Sequence, residues 1–449
     1  MHDLLRSHPP ASRDARDRAE RVLSHLPAGG LFHEKTWRVS PEAFPLAPGT
    51  VRRLEQLGES LWRFHRACNT LHQRSRKGSL PGWIADYTDA GKPGELLDLA
   101  TARPVVSDQP RVLRPDLILT EGGFALTEID SVPGGIGLTD WLHQAYAGLD
   151  PEPALVGGAE GMAQGFASIF SAPADVVISR ESSDYRPEME WLTGRLGSEW
   201  AVRDAEDYRS RSNRPAYRFY ECFDWDNLPA VRDLARLAAA GKLELTAPTK
   251  PFLEEKLWLA LFHSRPLREL WRRELRDSHW QRLGGVIPQG WILDPTPLPH
   301  HAVIPGLDIQ DFRELGDFSQ RERELVLKIS GFSDLAWGSR SVAIGQDLPQ
   351  AEWAATLDRA LQSFPEHPYL MQRFHRGRLV HHSWWDADSG SLQDMEGRVR
   401  LSPYYFAPFD GGKVVLGGAL ATICPSDKKI LHGMRDAILV PCRMDENGY

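Results

Sequence analysis

The chain has 449 residues, 41% of them hydrophobic and 25% charged, and its formal net charge is −8. This length exceeds a single hydrophobic core and predicts two or three structural units, while the ordinary composition excludes wholesale disorder. The negative balance gives no basic field for a phosphate backbone, so we expect no nucleic-acid partner.

Three features of the sequence bear on its cellular compartment. No apolar run approaches the ~18 residues of a membrane span, and the first residues, MHDLLRSHPPASRDARDRAE, lack the apolar core of a signal peptide. The four cysteines are scattered without a CxxC pair, which argues against a zinc ribbon or a disulfide scaffold. We therefore expect a cytoplasmic protein with no membrane partner.

A helical amino-terminal segment is predicted over residues 1–105. Within 51–75 the apolar residues recur at alternating steps of three and four, which places them on one face of a helix. Residues 12–26, SRDARDRAERVLSHL, predict an earlier helix. We expect these two helices to pack against each other, and we find no chemical motif in this segment.

A β-hairpin is predicted over 114–130, RPDLILTEGGFALTEID, because two alternating stretches flank a Gly-Gly turn. Its second strand ends in Glu128 and Asp130, whose side chains share one face because side chains alternate along a strand. Two carboxylates this close repel each other unless a cation neutralises them, and Mg²⁺ accepts such oxygen ligands. Taken alone, the pair is equally well explained as two solvated carboxylates on an exposed strand face.

The neighbours of this pair favour a binding site. Pro133, Gly134 and Gly135 precede a predicted helix start, where backbone N–H groups attract anions. Arg114 begins the other arm of the hairpin. It is either the counter-ion of the carboxylates or the group that holds a substrate carboxylate.

A small parallel α/β unit is predicted next, because strand-like and helix-like stretches alternate over roughly 160–245. From about residue 250 the sequence is first helical and then rich in strands. This last part therefore predicts an α+β lobe rather than a doubly wound sheet.

Three stretches of this lobe are candidates for nucleotide binding. Lys328 ends an apolar strand and precedes a loop with Gly331 and Gly338, which suits phosphates, although a lone strand lysine is usually a solubilising edge charge. The stretch YLMQRF around Met371 either receives an adenine ring or is ordinary core. Arg400, followed by glycine-rich hairpins, either clamps an anion or belongs to a β-meander with its necessary turns. The Walker spacing GxxxxGK[ST] is absent.

Together these stretches resemble the circularly permuted ATP-grasp family, which includes eukaryotic-type glutathione synthetase and glutathionylspermidine-synthase-like bacterial enzymes. In that family an Arg-x-Asp strand is followed by a Glu-Ile-Asn/Asp segment and a Gly-Gly turn, early in the chain. The stretch RPDLILTEGGFALTEIDSVPGGIG is similar to that pattern almost throughout. The likeness covers roughly 110–140 and 250–440.

The resemblance implies an α+β / α/β chain with a circularly permuted ATP-grasp fold, an inserted parallel α/β (Rossmann-like) subdomain and a helical N-terminal segment. The expected divisions are the helical segment (1–105), the metal- and substrate-binding strands of the ATP-grasp core (106–150), the α/β substrate subdomain (151–247) and the ATP-binding lobe (248–449). Relatives of this shape also make a homodimer one expected state.

The resemblance further implies ATP and Mg²⁺ as cofactors, together with a set of site residues. The expected metal ligands are Glu128, Asp130 and Asp334, the last in place of a family carboxylate whose position is taken here by Phe332. The expected nucleotide contacts are Lys256, Lys328, Ser330, Gly331, Gly338, Met371 and Gln372, where Gln372 replaces a hinge carboxylate of relatives. The expected substrate contacts are Arg114, Ser131, Gly134 and Gly135. The expected catalytic residues are Arg114 and Arg400.

The implied activity is that of an ATP-dependent carboxylate–amine ligase, which forms an amide bond through an acyl phosphate. Its partners would be a small-molecule or peptide carboxylate and an amine acceptor, whose identities no sequence pattern indicates. Phe332 at an expected ligand position favours an alternative, an ATP-grasp phosphotransferase or a catalytically impaired nucleotide-binding homologue. A third alternative is a carbohydrate-binding or glycoside-cleaving protein, but glycosidase carboxylates lie on separate elements, whereas Glu128 and Asp130 are neighbours on one strand.

Overall fold

The computed structural model of the chain describes residues 12–27, 37–149, 151–210, 214–336, 341–431 and 436–449. These residues form a mixed α/β architecture with three β-sheets. The strands, in chain order, are β1 (Phe44–Leu46), β2 (Val112–Thr120), β3 (Gly123–Asp130), β4 (Asp175–Ile178), β5 (Ala201–Asp204), β6 (Ala216–Phe219), β7 (Leu245–Thr246), β8 (Gly290–Ile292), β9 (Leu325–Ile329), β10 (Ala343–Ile344), β11 (Tyr369–Arg373), β12 (Leu379–Asp386), β13 (Ser391–Phe406), β14 (Val415–Pro425) and β15 (Ile438–Met444). The helices, in chain order, are α1 (Ser12–Ser24), α2 (Pro48–Arg76), α3 (Trp83–Asp89), α4 (Gly94–Ala100), α5 (Ile136–Ala147), α6 (Gly161–Ser168), α7 (Arg186–Leu196), α8 (Pro229–Ala239), α9 (Leu257–Leu261), α10 (Arg268–Leu275), α11 (Asp277–Gly284) and α12 (Gln350–Gln362).

The largest sheet has seven strands and combines residues from both ends of the chain. Its order is β1-β15-β14-β13-β2-β3, and β12 pairs with the first half of β13. The pairs are antiparallel except for β1 with β15, which is parallel. The short strand β1 therefore joins the helical amino-terminal segment directly to the strand-rich carboxyl-terminal part.

The predicted hairpin is present as β2 and β3. Arg114 lies opposite Asp130, and Asp116 lies opposite Glu128. The register shifts between Asp116 and Leu117, and β2 pairs with β13 on its other side. The pairing with β13 anchors the hairpin in the sheet and brings its charged ends side by side.

A four-stranded parallel sheet forms in the middle of the chain, in the order β5-β4-β6-β7. Helix α7 connects β4 to β5, and α8 connects β6 to β7, as the alternation in the sequence predicts. The loops that follow β4 and β6 leave the same edge of the sheet, because adjacent parallel strands end together. In open α/β sheets this carboxyl edge is where ligands bind.

The third sheet is antiparallel, in the order β10-β9-β11-β8. One of its faces is covered by a hydrophobic cluster that includes Leu327, Met371 and Trp353 of α12. Lys328 on β9 and Gln372 on β11 point to the opposite face, because successive residues of a strand alternate between faces. That face looks toward the hairpin, since the Lys328 side chain reaches β3.

Helix α2 packs on the large sheet and supplies much of its core. Leu54, Leu61 and Phe64 are fully buried, as the spacing of three and four predicts. The Tyr405 hydroxyl of β13 donates a hydrogen bond to the Leu54 carbonyl at 2.6 Å. The expectation that α1 and α2 pack mainly against each other is wrong. Helix α1 packs against β12, β13 and α5, whereas α2 packs against α3, α10 and α11. Amphipathic spacing identifies the buried face of a helix but not its partner.

Two observations concern the membrane and the cysteines. Across the described ranges, none of the helices combines the length and the apolar character that a membrane crossing requires. Cys68, Cys222, Cys424 and Cys442 are all buried and free, so none of them takes part in a disulfide.

Candidate active site

A cavity of about 740 Å³ opens between the hairpin, the antiparallel four-stranded sheet and the carboxyl edge of the parallel sheet. Its charged lining residues include Arg114, Asp116, Glu128, Asp130, Glu221, Lys256, Lys328 and Arg400. A compartment of about 50 Å³ shares Glu128, Asp130, Glu221 and Lys256 with it. The predicted carboxylates and the predicted lysines therefore line one cavity, although they are far apart in sequence.

Glu128 is paired with a lysine from another element. Lys256 Nζ lies 2.8 Å from Glu128 Oε1 and also donates to the Ala336 carbonyl at 3.2 Å. Burial opposes ionisation of Glu128, but the charge of Lys256 and its hydrogen bond outweigh burial and lower the pKa of this carboxyl. Glu128 is consequently an anion at neutral pH, and its ion pair connects the hairpin to the start of α9.

Asp130 and Asp116 share the guanidinium of Arg114. Arg114 Nη2 lies 3.2 Å from Asp130 Oδ2, Nε lies 3.2 Å from Asp116 Oδ1, and Nη1 donates to the Gly134 carbonyl at 3.1 Å. Burial raises the pKa of Asp130, Arg114 opposes this rise, and the charge of Glu128 adds to it. Of the two roles that the sequence leaves open for Arg114, these contacts are those of a counter-ion.

Asp116 is a central residue of the site that the sequence analysis did not assign. It is buried, its Oδ2 lies 3.2 Å from Arg400 Nη1, and its Oδ1 accepts a hydrogen bond from the Ser402 hydroxyl at 3.0 Å. Asp116 therefore links the two expected catalytic arginines, Arg114 and Arg400. The available signal was the alternation in β2, which puts Arg114 and Asp116 on one face.

Lys328 faces the cavity rather than solvent. Its Nζ donates to the Thr127 carbonyl at 2.6 Å and to Gln372 Oε1 at 3.3 Å. Burial lowers the pKa of Lys328 to about 8; the charge of Glu128 opposes this shift, and that of Lys256 reinforces it. The edge-charge explanation is wrong for this lysine, because β9 has neighbours on both sides and the side chain is buried.

The loop after β9 begins against the backbone of another segment. Ser330 is buried, and its hydroxyl has no hydrogen-bond partner among the described residues. The N–H of Gly331 donates to Glu255 Oε2 at 3.1 Å. A Cβ on Gly331 would lie 2.2 Å from the Glu254 carbonyl oxygen, so only glycine fits there. Gly338, the other expected glycine, lies outside the described residues.

The structure does not bring Asp334 to the carboxylate pair. Asp334 is exposed and does not belong to the cavity lining. Phe332, at the position where the sequence resemblance implies a carboxylate, packs against a hydrophobic cluster of the α/β unit, and Lys92 Nζ lies 5.4 Å from its ring centroid. The side chain at position 332 therefore contributes to packing rather than to the cavity.

The two expected hinge residues point in opposite directions. Met371 is fully buried in the cluster beneath the antiparallel sheet and does not line the cavity. Gln372 lines the cavity, and its Nε2 is buried without a partner among the described residues. Gln372 can thus still donate a hydrogen bond to a ligand.

The Gly-Gly turn lies at the cavity, but its helix start is already occupied. Gly135 has φ of 86°, which favours glycine, and its N–H donates to Glu188 Oε1 at 2.7 Å. The N–H of Leu138 donates to Glu188 Oε2 at 2.8 Å. The anion that this helix start attracts is therefore the buried Glu188. Ser131 lines the small compartment, and Gly134 lines the main cavity.

The α/β unit forms one wall of the cavity, and the sequence had indicated none of the residues of this wall. Tyr185, from the loop after β4, and Tyr220 and Glu221, directly after β6, line the cavity. The signal that indicates them is topological, since the carboxyl ends of parallel strands gather at one edge. This signal becomes usable only once β4 and β6 are known to be neighbours.

The donor chemistry of the cavity suits Mg²⁺. No three His, Cys, Asp or Glu side chains of the described ranges are grouped closely enough to hold a metal ion by themselves. Mg²⁺, however, usually takes one or two carboxylates and completes its shell with water and substrate phosphates. Burial raises the pKa of Asp130, Arg114 opposes this rise and Glu128 adds to it, so a further positive charge beside Asp130 would favour its ionised form.

Among solved structures, the chain is similar to a glutathione synthetase-like effector from Globodera pallida in its apo form, with a TM-score of 0.53 and 12% identity over 97% of each chain. A second structure, from Methylobacillus flagellatus and provisionally named gamma-glutamylcysteine synthetase, gives a TM-score of 0.34 and 10% identity over 88% of this chain and 89% of that chain. No protein-family model matches the sequence, and no curated protein is similar to it. The chain therefore shares the overall fold of the glutathione synthetase-like effector.

Proposed function

We propose that the chain is an ATP- and Mg²⁺-dependent ligase that joins a carboxylate to an amine through an acyl phosphate. The observation that carries this proposal is the meeting of the carboxylate strand with two lysines from other elements. Lys256 Nζ lies 2.8 Å from Glu128 Oε1, and Lys328 Nζ lies 2.6 Å from the Thr127 carbonyl oxygen. A site that holds a triphosphate beside a carboxylate needs both acids for a metal ion and fixed cations for the phosphates.

The reaction must bring two mutually repelling anions together. A carboxylate oxygen of the substrate attacks the γ-phosphorus of ATP, and ADP departs with the electrons of the cleaved P–O bond. The amine then attacks the carbonyl carbon of the acyl phosphate, loses a proton, and inorganic phosphate departs. Positioning and charge neutralisation supply most of the catalysis in such a sequence.

The residues of the cavity divide this work. Lys256 and Lys328 provide positive charge for the phosphates, and Gln372 fixes the Lys328 ammonium through its Oε1. Arg400, held by Asp116, is the proposed catalytic cation on the side of the large sheet. Glu128 and Asp130 would hold Mg²⁺, which when bound neutralises negative charge on phosphate oxygens.

The fold proposed for this activity is a circularly permuted ATP-grasp fold with an inserted α/β subdomain. Its support is chain order: the carboxylate hairpin comes first, and the lysine that contacts it follows 201 residues later. The proposed divisions remain 1–105, 106–150, 151–247 and 248–449. The fold shared with a glutathione synthetase-like effector agrees with this class of reaction.

The proposal is tested in two steps on the full chain. First, Mg·ATP should raise the unfolding temperature, because a ligand that binds only the native state stabilises it by mass action. Second, ADP release should be screened over carboxylates with hydroxylamine as a general acceptor, since an acyl phosphate yields a hydroxamate. Absence of both nucleotide stabilisation and hydroxamate would overturn the ligase assignment.

A second candidate is a phosphotransferase or a catalytically impaired nucleotide-binding homologue. It is favoured by Phe332 in the hydrophobic cluster and by the exposed position of Asp334, which together leave two carboxylates of the expected metal set at the cavity. Product analysis separates the candidates. A ligase yields ADP and an amide, a phosphotransferase yields ADP and a phosphorylated acceptor, and an impaired homologue binds ATP without turnover.

A further inference from the structure

The surface formed by helices α2, α10 and α11 is far more basic than the rest of the chain. Residues 48–77 and 265–282 together contain thirteen Lys and Arg and five Asp and Glu, an excess of eight positive charges. Because the whole chain has a formal net charge of −8, the remaining residues have an excess of sixteen negative charges. An asymmetry of this size favours association with a partner of opposite charge.

The three helices form one continuous surface. Helix α2 packs against both α10 and α11, which are also in contact with each other. Arg282 Nη1 of α11 donates to the Ser60 hydroxyl of α2 at 3.0 Å, and Arg74 Nη1 of α2 lies 3.9 Å from Glu274 Oε1 of α10. The arginine face is the set of exposed and half-buried arginines on these helices, namely Arg63, Arg66, Arg74, Arg268, Arg272, Arg273, Arg276 and Arg282.

Several positive charges of the arginine face converge around His279 of α11. Burial lowers the pKa of His279, and the charges of Arg63, Arg282 and Arg276 lower it further. Arg66 and Arg276 are exposed, and neither forms an ion pair with another residue of the described ranges. Like charges held this close repel each other, so an anionic partner would be stabilised here.

Arg276 has a backbone conformation that is normal only for glycine. It joins α10 to α11 with φ of 64° and ψ of 154°, a combination of angles that glycine alone adopts without strain. Residues with such strain cluster at binding and active sites, where the surrounding structure holds them in place. The exposed guanidinium of Arg276 is therefore displayed at a cost in local backbone energy.

An aromatic ring of the same surface is contacted by two of its arginines. Trp280 is half-buried, and the guanidinium carbons of Arg268 and Arg272 lie 5.4 Å and 5.8 Å from its ring centroid. These cation–π contacts hold both guanidinium groups close to the ring. Arginine and tryptophan are the residue types that protein–protein interfaces favour and that carry much of their binding energy.

The composition of the surface favours a protein partner over a nucleic acid or a membrane. Acidic residues are interspersed among the arginines, and a regular row of phosphates would meet them as well; they are Glu59, Glu269, Glu274 and Asp277. The exposed large apolar residues of the described ranges all lie outside α2, α10 and α11, so these helices offer a bilayer no apolar anchor. A folded protein can place single carboxylates opposite single guanidinium groups.

We propose that the arginine face is a docking surface for an acidic protein partner, whose Asp and Glu side chains pair with Arg66, Arg276 and the arginines around them. The active-site cavity contains no residue of this face in its lining, so the inference is independent of the ligase proposal. It gives a function to the amino-terminal helical segment, in which the sequence shows no chemical motif.

The first arm of the test measures binding of a fluorescein-labelled oligoglutamate to the full-length chain by fluorescence anisotropy. A double-stranded DNA oligonucleotide of equal formal charge and vesicles that contain anionic lipid are the comparisons. The oligoglutamate should bind saturably and lose affinity as the salt concentration rises. No binding of oligoglutamate, or tighter binding of the DNA or the vesicles, would overturn the proposal.

The second arm compares two variants of equal net charge. Arg66→Glu with Arg276→Glu should weaken oligoglutamate binding by roughly tenfold or more, because attraction becomes repulsion at two positions of the face. Lys242→Glu with Arg321→Glu changes two exposed cations on other elements and should bind like the wild type. An equal loss in both variants would reduce the binding to an effect of overall charge and contradict the docking surface.

Arg276→Gly separates docking from a structural role of this residue. The variant should unfold at a temperature no lower than the wild type, because the backbone strain is relieved, and should bind oligoglutamate more weakly. Weaker binding that accompanies a lower unfolding temperature would instead indicate that Arg276 supports the fold.

Sedimentation velocity distinguishes a foreign partner from a second copy of this chain. Wild-type protein and the Arg66→Glu with Arg276→Glu variant should sediment as the same species. Self-association of the wild type that this variant abolishes would make a second copy the occupant of the face and overturn the proposal of an acidic partner.

Discussion

Lys92 and Glu255 form an ion pair whose side chains are 1% and 0% exposed, although the two residues are 163 positions apart in sequence. Glu255 also accepts the hydrogen bond from the N–H of Gly331, and it directly precedes Lys256. One buried carboxylate therefore connects the helical amino-terminal segment, the lysine that pairs with Glu128 and the loop after β9.

Lys92→Met is expected to destabilise the native state by about 3–5 kcal/mol, because it leaves the Glu255 carboxylate buried without its partner. The double variant Lys92→Met with Glu255→Gln should recover most of this loss. Unfolding by urea measures both effects. Arg236→Met, which removes an exposed pair with Glu95, is the matched control and should change little. A Lys92→Met protein as stable as the control would contradict the importance of the buried pair.

The variant Glu128→Gln with Asp130→Asn should keep the native circular-dichroism spectrum but release no ADP from Mg·ATP, and its stability should fall because Lys256 and Arg114 each lose a charged partner. Both oxygen ligands of the expected metal ion lose their charge, while the side-chain shapes are retained. Steady-state ADP release and circular dichroism check the two parts. Glu121→Gln, at the exposed turn of the same hairpin, should keep full activity. Wild-type ADP release by the double variant would remove the metal assignment.

Nucleotide affinity should fall as the pH rises from 7 to 9. The pKa of Lys328 is lowered to about 8 by burial, so its ammonium is mostly protonated at pH 7 and mostly neutral at pH 9. A triphosphate binds the charged form, so affinity should drop by at most about tenfold per pH unit above this pKa. Titration with a fluorescent ATP analogue measures the affinity at each pH. Lys328→Arg stays charged and should show a flatter profile; identical profiles in both proteins would rule out Lys328 as the titrating group.

Phe332→Asp should destabilise the protein and add no activity, even though it introduces the carboxylate that the sequence resemblance implies at this position. The aspartate would replace an aromatic ring packed on the α/β unit, at an expected cost of about 2 kcal/mol or more. Thermal unfolding and ADP release measure the two outcomes. Asp334→Asn, at an exposed residue, should leave both unchanged. A gain of turnover in Phe332→Asp, or its loss in Asp334→Asn, would return a third carboxylate to the metal site.

Local periodicity accounts for the parts of the site that the sequence predicted. Alternation with period two put Glu128 and Asp130 on one face of β3, and the spacing of three and four identified the buried face of α2. Asp116 was overlooked because its importance depends on Arg400, which reaches it from β13 across the sheet. Glu188 was overlooked for the same reason, since the helix start that it caps lies some fifty residues earlier in the chain.

The contrast between Phe332 and Lys328 shows where a family resemblance loses resolution. The ammonium group of Lys328 donates to the Thr127 carbonyl of β3 and to Gln372 of β11, and it lies on the expected cavity face. Phe332, four residues after Lys328, lies beyond the end of β9. The direction of its side chain is therefore set by packing rather than by the alternation of a strand. The resemblance therefore predicted the cavity position of Lys328 on the strand, but it did not identify a third carboxylate in the loop that follows.

Charges of opposite sign alternate across three adjacent strands, from Asp130 to Arg114, then Asp116, then Arg400. Sliding β13 along β2, or β2 along β3, would put at least one of these contacts out of reach. The floor of the cavity is consequently fixed in a single register, and the ammonium groups of Lys256 and Lys328 are fastened to the same hairpin through Glu128 and the Thr127 carbonyl.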